Sequence, residues 1–129
     1  MNTINFKREI PGTLDGAIER VTKALGAQGF GILTRIDMHA KIKEKTGKDI
    51  VPTVILGACN PNLAYEAYSA DSDVASLLPC NAVVREVAPG RISIELAAPS
   101  GLMRILGNAA LTELAKEADA RIQKALAEV

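Results

Sequence analysis

The sequence predicts an α+β domain in which two long helices pack on one face of an antiparallel-rich sheet. Three observations carry this. Apolar residues recur at helical spacing near both ends, at Leu14, Ala17, Ile18, Val21, Ala24 and Leu25 and again at Leu111, Leu114, Ala118, Ile122 and Leu126. Each stripe needs a surface to cover it. Between them lie short extended runs, two of which close into a hairpin around Ala88-Pro89-Gly90. The elements also lack the regular strand–helix alternation that builds a parallel sheet.

Each element has a local cause. Residues 3–10 read as an opening strand stopped by Pro11-Gly12. Thr13 caps the first long helix, Asp15 lies near the positive end of its dipole, and Gly26 and Gly29 end it. Phe30 to Ile36 is a second strand, with Phe30, Ile32, Thr34 and Ile36 on one face by period two. Asp37 is placed to cap a short helix through Lys45, stopped by Gly47. Val51 to Ala58 is a strand rich in β-branched residues that delivers Cys59 at its end. Asn60 then caps a helix begun by Pro61, where a missing N–H costs nothing. Asp71-Ser72 opens a further turn, terminated by Pro79. Residues 81–87 and 91–97 form the hairpin, 99–107 read as irregular, and Asn108 caps the closing helix.

The totals exclude several classes. The 129 residues suit one domain, 1–129, large enough for a core without disulfides or metals. Lys plus Arg and Asp plus Glu are 15 each, so no general field draws nucleic acid or an anionic membrane. Aromatic residues make up only 3%, too few for a base-stacking platform. No apolar run approaches the roughly 18 residues of a bilayer span. The N-terminus does not resemble a signal peptide, so a cytoplasmic location with two reduced thiols is expected.

Chemistry concentrates in two phrases, Gly57-Ala58-Cys59-Asn60-Pro61 and Leu78-Pro79-Cys80-Asn81. Cys59 sits where a strand meets a capped helix, and free N–H groups there would stabilise a thiolate. A small buried hydrophobe is the competing explanation. Cys80, at a strand start with no helix aimed at it, reads as structural on its own. The two thiols meet if their strands are neighbours, although their spacing is not that of a CxxC pair. His39 is the only histidine. With Cys59 and Cys80 it would make a three-ligand zinc or copper site, but a histidine on a lysine-rich helix is expected in solvent, so no cofactor is expected. A Cys59–His39 catalytic pair would need an orienting acid such as Asp37 or Asp49. Lys41, Lys43, Lys45 and Lys48 read as a solvated face. Arg85 shares a strand face with Val83 and Val87, and Glu95 with Ser93 and Ala97. That face is expected to be the solvent side; under the helices the two charges would pair or meet a ligand. Leu102, Met103, Ile105 and Leu106, between Gly101 and Gly107, suit a lid, a dimer contact or a core plug alike.

Three stretches also carry a family resemblance: 29–37, Ile55-Leu56-Gly57-Ala58-Cys59-Asn60-Pro61, and Leu77-Leu78-Pro79-Cys80-Asn81-Ala82-Val83-Val84-Arg85. In that order they resemble the domain-of-unknown-function 302 family, best over residues 29–103. The resemblance implies a fold like that of the TATA-box-binding protein: strand, helix, four strands, helix, with the helices gripping a curved sheet. The family commonly has Met-Asp-Pro after the last strand, where this chain has Ala97-Ala98-Pro99. A role resting on that acid is therefore not implied here.

Without an acid/base constellation, a binding protein is expected rather than an enzyme. The expected site is a cleft between helices and sheet for a small, partly apolar ligand, with Cys59, Asn60, Cys80 and Asn81 at its polar mouth and Arg85 at the ligand's polar end. A homodimer is expected, because strand edges need cover. The alternative function is thiol-based sulfur transfer or redox chemistry with Cys59 as nucleophile and Cys80 as partner; metal–thiolate binding is third.

Overall fold

The computed structural model describes residues 4–129, so Thr3 of the expected opening strand lies outside the described residues. In chain order the elements are β1 (Asn5–Pro11), α1 (Leu14–Ala27), β2 (Gly31–Asp37), α2 (Met38–Thr46), β3 (Thr53–Cys59), α3 (Pro61–Ala70), β4 (Cys80–Ala88), β5 (Arg91–Ala97), α4 (Pro99–Met103) and α5 (Thr112–Ala127). 3₁₀ segments cover Ser72–Leu77, Arg104–Leu106 and Ala109–Leu111. The five strands form an open sheet in the order β1-β5-β4-β3-β2, and every neighbouring pair is antiparallel.

Period two decides the layers. Val54, Leu56 and Ala58 of β3, Ala82 and Val84 of β4, and Ile92, Ile94 and Leu96 of β5 share one buried cluster. The stripes of α1 and α5 close over it with Ala17, Val21, Leu25, Ala118, Ile122 and Leu126. Each fully buried Leu, Ile or Val there contributes about 1.5–3 kcal/mol, more than local helix propensity offers, so burial holds both helices on this face. The ends are fixed locally. Thr13 Oγ1 accepts from the Gly16 amide at 3.0 Å, and the Arg8 guanidinium donates to the Leu126 and Ala127 carbonyls at 3.0 and 2.9 Å, closing the C-terminus of α5.

The other face of the sheet carries no long helix, and there the charges on β1, β4 and β5 meet. Arg85 donates to both oxygens of Glu95 at 2.6 and 2.8 Å, and Lys7 Nζ stands 3.4 Å from the same carboxylate. The face is the solvent side, as expected, yet Glu95 itself is buried beneath its two partners.

Three details differ from expectation. The β2–β3 register shifts between Ile32 and Thr34. The extra residue, Leu33, sends Ile32 to the helix side with Ala58, while Thr34 and Ile36 turn to the other face opposite Gly57 and Ile55. Residues expected to be irregular include the short helix α4; Pro99 is pre-organised for its first turn. Asp37 caps nothing with its side chain, because its carboxylate accepts from Arg35 Nε at 2.9 Å.

Candidate cavity lined by both cysteines

β3 and β4 are neighbours, and Ala58 lies directly opposite Cys80. Cys59 is the last residue of β3 and Cys80 the first of β4, so both thiols reach the same end of the sheet. There α3, α4 and α5 close a cavity of about 50 Å³ whose walls include Phe30, Leu63, Leu78, Met103, Leu111 and Ala115. Cys59, Asn60 and Cys80 line it too, and apart from these three the lining is apolar. The volume has room for about three to five water-sized groups. It is well below the roughly 300–1,000 Å³ of a drug-sized site. A cavity of that size and lining has room only for a small apolar group.

Asn60 builds the rim. Its Oδ1 accepts from the Leu63 amide at 3.2 Å, capping α3. Its amide nitrogen stands 3.5 Å from the Gln28 carbonyl, to which Arg121 also donates at 3.4 Å. The α1–β2 turn must come close for this: a Cβ on Gly29, whose φ is +86°, would lie 2.9 Å from Asn60 Nδ2.

Electrostatics run against a poised thiolate. Burial pushes the Cys59 thiol above its ordinary value. The Cys80 thiol is pushed up to about 11, first by burial, then by Cys59 and Asp119. At the start of α3 Asn60 consumes the Leu63 amide, and loss of water opposes ionisation of Cys59. Both thiols are free and protonated at neutral pH.

Asp119 escaped notice in the sequence. It lies on α5 four residues after Ala115 and three before Ile122, both buried, and a carboxylate inside an apolar helical stripe was the available signal. Its Oδ1 accepts from the Ser100 amide at 3.0 Å. The corner after β5, where the chain reads Ala97-Ala98-Pro99, thus receives a carboxylate from α5.

The other candidates stand elsewhere. Asn81, next to Cys80, faces the opposite side of the sheet, paired with Gly57 and exposed. Arg85 belongs to the Glu95 pair on that same helix-free face and does not reach the cavity. The expected places of Asn81 at the mouth of the cleft and of Arg85 at the ligand's polar end are corrected: alternate strand residues share a face, and these two share the one turned away from the cavity. His39 Nδ1 accepts from the Thr53 amide at 3.0 Å, at the far end of β3, roughly 20 Å along the strand from Cys59. Cys59, Cys80 and His39 therefore do not converge, and among the described residues no group of three or more His, Cys, Asp or Glu could hold a metal ion. The same separation leaves Cys59 without His39 as a base. The apolar 102–106 segment is mostly plug: Met103 and Leu106 pack into a second small cluster with Ala67, Val74, Leu111 and Ala115, while Ile105 is 72% exposed.

The family model for domain of unknown function DUF302 matches residues 6–129. The crystal structure of an uncharacterized conserved DUF302 protein from Bacillus stearothermophilus is similar, with a TM-score of 0.90, 29% sequence identity, and 98% of each chain covered. No curated protein matches the chain.

Proposed function

The chain belongs to the DUF302 family, and from the cavity at the end of β3 and β4 we propose that it is a binding domain for a small, partly apolar ligand. The single observation that carries this is an apolar cavity walled by three helices, with Asn60 and two protonated thiols as its polar groups. Such an arrangement orients a ligand and supplies no base to activate it. A nitrogen-15 NMR titration with 1-butanol, a small apolar probe, tests the reading. The expected result is saturable shifts at the amides of Phe30, Cys59, Leu63 and Met103, abolished by Ala64→Leu, which fills the cavity from α3. Shifts that never saturate, or that survive Ala64→Leu, overturn it.

Thiol chemistry is the second reading, favoured by the one fact that both cysteines line the same cavity. It would make Cys59 the nucleophile and Cys80 its partner, and it requires a thiolate that burial opposes.

A homodimer and a cytoplasmic location belong to the proposal as well. Among the described residues β1 and β2 are the two edge strands of the sheet, and Ile36 is exposed on the helix-free face. No helix of the described residues is long and apolar enough to cross a membrane. Sedimentation that finds only monomer at micromolar concentration removes the dimer.

A further inference from the structure

We propose that the ligand is a short aliphatic monocarboxylate, its tail in the cysteine cavity and its carboxylate held by Arg104 and Lys116 in an adjoining groove. The inference rests on the binding reading above and names the ligand class.

A second concavity of about 380 Å³ opens between α4 and the start of α5, lined by Ser100, Arg104, Asn108, Thr112 and Lys116 among others. Met103, Leu111 and Ala115 line both this groove and the cysteine cavity, so one wall of side chains divides them. Met103 is the adaptable member of that wall: as an unbranched thioether with three rotatable bonds, it would open a passage to the ligand tail by changing rotamer. Beyond the wall the surroundings change from apolar to cationic.

The side chains that line the groove carry one sign of charge, and the carboxylates nearby are engaged from behind, Asp119 by the Ser100 amide and Asp71 by Asn108. The lining includes Arg104 and Lys116 and no carboxylate. Arg104 has no ion-pair partner among the described residues. Lys116 touches Glu113 at 3.4 Å, with both side chains largely exposed, a contact worth little in water and easily exchanged for another anion. Asn108 is already occupied, donating to Asp71 and accepting from the Ala110 amide. The other grooves differ. The one around Lys7 and Arg8 has its cations engaged, by Glu95 and by the end of α5. Those beside Glu95 and beside Asp15 and Glu19 carry acids in their walls.

Size sets the tail. Room for about three to five water-sized groups corresponds to about three or four carbons, so with the carboxylate carbon the preferred ligand has about four or five carbons in all. Each methylene that enters the cavity should tighten binding about fourfold, until the cavity is full.

The test is an NMR titration of the full chain at low salt with butanoate, pentanoate, 1-butanol and butylamine in parallel. The expected result is tighter binding of butanoate than of 1-butanol, weakest binding of butylamine, and shifts at both Phe30 and Arg104. Arg104→Gln and Lys116→Gln should each weaken butanoate about two- to fivefold and leave 1-butanol unchanged. Equal affinity for butanoate and 1-butanol overturns the carboxylate assignment and leaves the cavity reading standing. Butanoate shifts confined to Arg104 and Lys116 reduce the groove to a surface anion contact and overturn it as well. Failure of both ligands to saturate removes the cavity reading together with this one.

Discussion

Asp119 on α5 accepts a hydrogen bond from the Ser100 amide on α4 at 3.0 Å, and the same carboxylate helps to raise the Cys80 thiol. One side chain thus holds the short helix over the cavity and adds negative potential at its floor. The two roles are separable. Asp119→Asn keeps an acceptor for Ser100 and removes the charge, so the Cys80 midpoint should fall yet stay above the ordinary value, because burial is the larger cause. Asp119→Ala removes the acceptor too and should cost about 1–2 kcal/mol. Thiol titration and thermal melts of the two variants check this; an unchanged Cys80 midpoint in Asp119→Asn contradicts it.

The raised Cys80 thiol makes stability depend on pH in the alkaline range. Its value rises from 9.0 to about 11 on folding, so the folded state holds its proton more tightly. The contribution is fully present below pH 9 and is lost as pH climbs towards 11, by about 2–3 kcal/mol in all. Between pH 8 and 11 the protein should lose about 2–3 kcal/mol relative to Cys80→Ala, read from denaturant midpoints of the two. A constant difference between them from pH 8 to 11 contradicts the assignment.

Gly57 marks a close approach on the helix-free face. A Cβ there would collide with Thr34 Oγ1 and lie 2.7 Å from Pro79 Cγ. Gly57→Ala should therefore destabilise the fold by about 1–3 kcal/mol. Pairing it with Thr34→Gly should recover part of the loss, since one of the two colliding groups is then gone. Thermal denaturation of the single and double variants reads both effects.

Glu95 is buried and depends on its partners. Arg85→Ala would leave its carboxylate with Lys7 alone, at an expected cost of about 2 kcal/mol, below the range for a fully enclosed pair because Arg85 keeps contact with water. Replacing both, as Arg85→Met with Glu95→Met, should cost less than Arg85→Ala. A double-mutant cycle by urea denaturation tests this; additive losses would mean the pair is not coupled.

Much of this architecture was legible because its causes are local. The stripes of α1 and α5, the caps at Thr13 and Asn60, and the hairpin at 88–90 all follow from spacing and residue type. Meeting of the cysteine phrases needed only that β3 and β4 be neighbours. Strand alternation separates Asn81 from the face of Cys80 and puts Arg85 on the Asn81 face with Val83, the side expected to meet solvent. The bulge at Leu33 was out of reach, because one extra residue on β2 shows itself only in pairing with β3. The position of His39 was equally hidden, since its partner, Thr53, lies 14 residues away. The cavity depends on contacts among α3, α4 and α5, and no single segment encodes it.

The central claim is that the cysteine cavity binds and does not react. Alkylation of the native protein across pH 6–11, with Cys59 and Cys80 resolved by peptide mass spectrometry, tests it most directly. The account predicts that both thiols label slowly at neutral pH, with midpoints above that of free cysteine and Cys80 the higher of the two. Fast labelling of Cys59 with a midpoint below that of free cysteine would contradict it and make the site a reactive thiol.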